Sequence, residues 1–164
     1  MSTGRSAATA AAAPPVGLDT RIRHDLFDII ARLRDLTGVT ILMTTHYLDE
    51  AERLCDRLAV IDAGTVVACD SPASLLASLG DEILELRVDQ TDKAAKILYS
   101  NGVAAQDVLV IGGTVTASLR GIPGTRLIQL LNEDSVTVRS AATRRPTLDD
   151  VYLRLTGGRM TAAD

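Results

Sequence analysis

His46 is the residue of this sequence best placed to do chemistry. Its imidazole changes charge near neutral pH and can donate a hydrogen bond to a phosphate or carboxylate oxygen. It stands in Thr44-Thr45-His46-Tyr47-Leu48-Asp49-Glu50-Ala51-Glu52, directly after the β-rich run Val39-Thr40-Ile41-Leu42-Met43. A strand followed at once by an acidic helix carries a side chain to the C-terminal edge of an α/β sheet, where such proteins hold ligands. A second group, Gly17-Leu18-Asp19, precedes a long helical pattern. Asp19 can fix water and backbone geometry there, or cap the helix by accepting from its first N–H groups. Asp49, Glu50 and Glu52 fall in the first turns of a helix, where carboxylates complement the dipole, and they are read as structural or solvated. Asp149 and Asp150 are read in the same way. Cys55 and Cys69 form no C-x-x-C and share no ligand spacing with His24 or His46, so no metal site is expected.

Composition narrows the classes further. At 164 residues the chain can hold one domain or two small ones. A net charge of −4 and a pI near 5.1 leave no electrostatic footprint for nucleic acid. Aromatic residues make up only 2%, with no Trp, which removes the stacking surfaces that single-strand binders use. No apolar run approaches the ~20 residues needed to cross a bilayer. Residues 1–13 lack the apolar core of a signal peptide, and a cytoplasmic location is expected.

The elements that must position these residues follow from periodicity and punctuation. Residues 1–15, rich in Ala and ending in Pro14-Pro15, are expected to be a disordered lead-in. A helix is predicted from Asp19 or Thr20 to Thr37, with Ile22, Leu26, Ile29, Ile30, Leu33 and Leu36 on one apolar face and Gly38 at its end. A buried strand over 39–44 follows, then a short helix over 47–55. Strands over 57–62 and 65–69 turn about Ala63-Gly64, and Ser71-Pro72 opens a short helix that ends at Gly80. The texture then changes, which places a boundary at 80/81. Beyond it the pattern reads β (83–88), α (92–101), β (108–111), β (115–119), α (124–133), β (136–141), with Thr147-Leu148-Asp149-Asp150 opening a last helix. This order is the split β-α-β of ferredoxin-like domains.

The segment from Val16 to about Leu76 resembles the switch-histidine region of ABC-transporter ATPase subunits, most closely the daunorubicin/multidrug-exporter type. The residues that carry the resemblance are Gly17-Leu18-Asp19, Thr44 to Glu52, and Arg53-Leu54-Cys55-Asp56-Arg57-Leu58-Ala59-Val60-Ile61-Asp62-Ala63-Gly64. Pro146-Thr147-Leu148-Asp149-Asp150-Val151-Tyr152-Leu153-Arg154-Leu155-Thr156-Gly157 is similar to the C-terminal end of these subunits. The resemblance implies an α/β chain: the C-terminal part of a P-loop nucleotide-binding domain over 16–80, then a small ferredoxin-like βαββαβ accessory domain over 81–164. It implies that His46 contacts the γ-phosphate and that Gly17, Leu18 and Asp19 form the turn that crosses the ATPase dimer. It further implies ATP and Mg2+ as cofactors of the intact family, with a membrane permease subunit and a second ATPase subunit as partners. Assembled so, the protein would lie at the inner face of the plasma membrane.

The departures from that pattern are as specific as the match. No G-x-x-x-x-G-K-[ST] phosphate cradle is present. Counting back from Asp19, the magnesium-holding Asp and the catalytic Glu fall on Ala12 and Ala13, with Pro14 still in register. Leu155-Thr156-Gly157-Gly158-Arg159 looks like the family's signature loop, but it follows a helix and is read as that helix's end. The expectation is a truncated exporter subunit that neither binds nor cleaves ATP alone. The alternative is a non-enzymatic regulatory or interaction module built on the βαββαβ unit, open to homodimer formation through its free edges.

Overall fold

A computed structural model describes residues 9–12 and 20–157. They belong to two compact units, Met1–Leu54 and Cys55–Asp164.

The first unit is a β-α-β arrangement. Strand β1 (Thr9–Ala12) pairs in parallel with β2 (Thr40–Met43), and helix α1 (Thr20–Thr37) lies between them in sequence. A short helix, α2 (Leu48–Leu54), follows β2. Strand β1 lies inside the segment expected to be disordered. An alanine run has little β-propensity of its own, and its backbone becomes a strand by pairing with β2, a contact that composition does not report. Helix α1 matches its periodicity and stops as foreseen: Gly38 takes φ +67° and donates its N–H to the Arg34 carbonyl at 2.8 Å.

The apolar face of α1 is largely exposed. Phe27 is buried at 3% exposure, whereas Ile22, Ile29, Leu33 and Leu36 are 50–85% exposed. Strand β2 likewise alternates between half-buried and exposed residues, with Leu42 at 60%, where a buried strand was expected. A parallel strand is normally covered on both faces. Two short strands offer too narrow a surface to cover an 18-residue helix.

The second unit opens with a hairpin, β3 (Leu58–Asp62) and β4 (Thr65–Asp70), turning at Ala63 (φ +47°) and Gly64 (φ +79°). Two consecutive positive φ angles are the signature of the primed turns that match strand twist. Helix α3 (Pro72–Ala77) is capped as expected, the Ser74 N–H donating to Ser71 Oγ at 3.1 Å. Then come β5 (Ile83–Val88), α4 (Thr91–Ser100), a 3-10 turn (Ala105–Asp107), β6 (Val108–Ile111), β7 (Thr114–Ser118), α5 (Gly124–Glu133), β8 (Val138–Arg144) and α6 (Leu148–Thr156).

The four strands β5 to β8 form one antiparallel sheet in the order β6-β7-β5-β8. Alternate residues Leu84, Leu86 and Val88 of β5 and Val115 and Ala117 of β7 share one core with Ala94, Leu98, Leu127 and Leu131 of α4 and α5. Both helices therefore cover the same face of the sheet. Strand β8 begins two residues later than its apolar pattern suggests. Val136, expected to open it, is a buried core residue whose N–H is tied to the Leu131 carbonyl at 2.9 Å, just after Ser135 turns at φ +57°.

Candidate functional site

His46 lies beyond the C-terminal end of β2 and is exposed. Its ring stands 4.0 Å, centroid to centroid, from that of Tyr47, tilted by 37°. The turn is held locally: the Tyr47 N–H donates to Thr45 Oγ1 at 3.0 Å, and the Ala51 N–H donates to the Tyr47 carbonyl at 3.2 Å. Arg34 of α1 donates to the Leu54 carbonyl at 3.0 Å, which fastens the end of α2. Asp49 and Glu52 are exposed, as solvated helix carboxylates should be, but Glu50 is buried at 5% exposure.

The parallel register sets Ala12 opposite Met43. The last residue of β1 thus neighbours the last residue of β2, three positions before His46. Ligands of parallel α/β sheets gather at this edge, outside the carboxyl ends of the strands. A magnesium–nucleotide pair needs carboxylates and a phosphate cradle at such an edge. Position 12 has a methyl group instead, and the sequence holds no Gly-Lys loop. Among the described residues, no three His, Cys, Asp or Glu side chains converge to hold a metal ion. Gly17, Leu18, Asp19 and Ala13 lie outside the described residues.

A second polar constellation, in the Cys55–Asp164 unit, escaped the sequence reading. The Asp107 side chain, 2% exposed, accepts from Arg120 Nε at 2.7 Å and from Arg154 Nη2 at 3.2 Å. Both guanidiniums also donate to the Ser78 carbonyl at the end of α3, at 2.5 Å and 2.8 Å. One carboxylate and one carbonyl thereby link α3, the 3-10 turn, the loop after β7 and α6. Arg120 holds φ +42°, a conformation that costs a residue with a Cβ about 1 kcal/mol. Asp107, Arg154, Ile83, Thr116, Ser118 and Leu153 line a groove of about 240 Å³ beside this cluster. Every charge in the cluster is used internally, so the arrangement is built for attachment. Its partners lie 13 and 47 residues apart from Asp107 in the chain, and no local motif announces them.

Asp150 makes a third tie. It accepts from the Thr147 N–H at 2.8 Å, the short-chain form of the box foreseen at the start of α6. It also accepts two bonds from Arg144, at 2.6 and 2.8 Å. Burial pushes the Asp150 carboxyl up, but the Arg144 and Thr147 donors outweigh it and hold the group below the usual carboxylate range. At the far end α6 stops at Gly157, which takes φ +66° and donates to the Leu153 carbonyl, as the reading of Leu155-Thr156-Gly157 as a helix end requires. No helix of the described residues is long and apolar enough to cross a membrane.

Comparison with known proteins gives this geometry a context. No family model matches the chain. It is 36% identical over 151 residues to the daunorubicin/doxorubicin resistance ATP-binding protein of Streptomyces peucetius, covering 88% of this chain and 44% of that protein. It is 35% identical over 148 residues to a daunorubicin resistance ATP-binding protein of Streptomyces coeruleorubidus, covering 88% of this chain and 46% of that protein. A Nod factor export ATP-binding protein of Burkholderia orbicola is 36% identical over 157 residues, covering 90% of this chain and 46% of that protein. The chain spans less than half the length of each of these relatives.

Proposed function

We infer the function of this chain from one premise: it belongs with the ATP-binding subunits of ABC exporters and corresponds to a C-terminal part of them. On this reading it serves the export of a drug-like compound, as part of a subunit that couples ATP binding and hydrolysis to transport. His46 is the residue that senses the γ-phosphate, and Gly17, Leu18 and Asp19 form the turn that reaches a second ATPase subunit. The βαββαβ unit is a ferredoxin-like accessory domain. A membrane permease subunit is the other partner, and the working location is the cytoplasmic face of the membrane.

The observation that carries this reading is the β1-α1-β2 register. It sets the end of β1 beside the strand that leads to His46. This is where the counted-back magnesium and catalytic carboxylates of the family would stand. Phosphoryl transfer depends on positioning and charge neutralisation, so alanines at 12 and 13 and the lack of a Gly-Lys loop leave these 164 residues unable to hydrolyse ATP alone. The similarity runs through both compact units, which disfavours a free-standing βαββαβ module of another class.

The test is a titration of the purified chain with a fluorescent ATP analogue and magnesium, with circular dichroism on the same sample. A folded chain without saturable binding is the expected result. Saturable binding that His46→Ala abolishes would overturn the inactivity of the chain alone.

A further inference from the structure

Successive side chains of an extended chain point to opposite faces, so a residue at a strand end is not expected to touch its neighbour in sequence. His46 and Tyr47 do touch: their ring centroids lie 4.0 Å apart, tilted by 37°. They meet where the backbone changes from strand to helix. Tyr47 is the residue before α2, and its carbonyl accepts from the Ala51 N–H inside that helix at 3.2 Å. Its own N–H donates to Thr45 Oγ1 at 3.0 Å. The backbone of Tyr47 is thus held from both sides. Ala51 is 1% exposed, and the far end of α2 is fastened to α1 through Arg34 and the Leu54 carbonyl. Of the two rings, that of the half-buried Tyr47 is therefore set by the fold, while His46 is exposed.

An exposed side chain with no neighbour exchanges among its staggered rotamers within picoseconds to nanoseconds. A tilted ring pair at this distance favours the rotamer that makes the contact, roughly two- to tenfold. That restriction matters for a donor whose task is to meet a phosphate oxygen, because a group oriented in advance needs no reorganisation during the reaction. The other residues flanking His46, namely Thr44, Thr45, Leu48 and Asp49, have no ring to offer it. We propose that Tyr47 is the positioning residue of His46, its ring holding the imidazole in one orientation beyond the end of β2. The proposal rests on the reading of His46 as the residue that senses the γ-phosphate. Tyr47 acts through the histidine and does not touch the nucleotide. The ring is what matters, so phenylalanine can replace it and alanine cannot.

Two measurements test it. In the full chain without nucleotide, proton NMR reads the contact directly, since the Tyr47 ring current displaces the His46 imidazole signals. Tyr47→Phe is expected to keep that displacement and Tyr47→Ala to abolish it, with the circular dichroism unchanged. Hydrolysis is read in a chimera in which residues 16–164 replace the matching part of the Streptomyces peucetius relative. There Tyr47→Ala is expected to lower turnover roughly two- to tenfold, and Tyr47→Phe to leave it near the unsubstituted level. Added to His46→Ala, Tyr47→Ala is expected to change nothing further, as a residue acting only through the histidine requires. Imidazole signals that Tyr47→Ala leaves in place, or a further loss of turnover in the double variant, would overturn the proposal. So would a chimera that depends on His46 yet tolerates Tyr47→Ala, a result that leaves the phosphate reading standing. A chimera indifferent to His46→Ala would instead remove that reading, and the proposal with it.

Discussion

Truncating Asp107 to alanine tests the attachment of α6 and α3 to the sheet. The change removes the acceptor of the 2.7 Å bond from Arg120 Nε and the 3.2 Å bond from Arg154 Nη2. Both guanidiniums are left with the Ser78 carbonyl as their shared acceptor. Removing one partner of a fully buried ion pair costs ~3–5 kcal/mol, because the other charge stays desolvated. An exposed pair is worth ~0–1 kcal/mol. Asp107 is 2% exposed, while the Arg120 and Arg154 side chains are 45% and 21% exposed, so water can rehydrate the guanidiniums in part. The expected cost therefore lies between the two limits, about 2–3 kcal/mol. Urea unfolding of the full chain, followed by circular dichroism, reads it as a lower midpoint at unchanged slope. Asp107→Asn, which keeps one acceptor oxygen, should recover part of the loss. Combining Asp107→Ala with Arg154→Ala should cost less than the sum of the single changes by about 1 kcal/mol, because the two groups act together. A loss below about 0.5 kcal/mol for Asp107→Ala, or strict additivity with Arg154→Ala, would refute the attachment argument.

Three further outcomes follow from the same geometry. Asp150 has its carboxyl held below the usual range when folded, so its contribution is fully present above the unfolded value and is lost as pH falls through the folded one; acid titration of stability should be shallower in Asp150→Asn than in the wild type below about pH 4. Leu98 is fully buried in the sheet–helix core, and Leu98→Ala should cost ~2–5 kcal/mol in the same urea assay. Ser71 accepts from the Ser74 N–H at 3.1 Å, so Ser71→Ala should cost about 1 kcal/mol, seen as earlier melting of α3 in amide hydrogen exchange.

What the sequence made legible and what it hid divide along the range of the interactions. Helix α1, the Ala63-Gly64 turn, the Ser71 cap and the Gly157 stop are set by residues within a few positions of one another, and each lies where the pattern puts it. Strand β1 was hidden because its only structural cue is pairing with β2, about thirty residues on. Strand β8 slipped because Val136 is apolar for the core beneath α5 and not for the sheet. The α1 stripe was read as apolar, and its exposure was not legible, since periodicity reports a face and not what covers it. In the sequence, His46 drew a reading through its immediate neighbours. Asp107, Arg120 and Arg154 did not, because ordinary ionic residues carry no sign of which distant partner they will meet.

The account rests on this chain being able to act as the C-terminal part of an exporter ATPase, with His46 on the phosphate. The most direct measurement is ATP hydrolysis by a chimera in which residues 16–164 replace the matching part of the Streptomyces peucetius relative, compared with its His46→Ala form. The account predicts a hydrolysing chimera whose turnover falls ~100-fold on His46→Ala, the loss typical of removing one positioned donor to a reacting oxygen. A folded chimera that hydrolyses ATP equally well without His46 would contradict it.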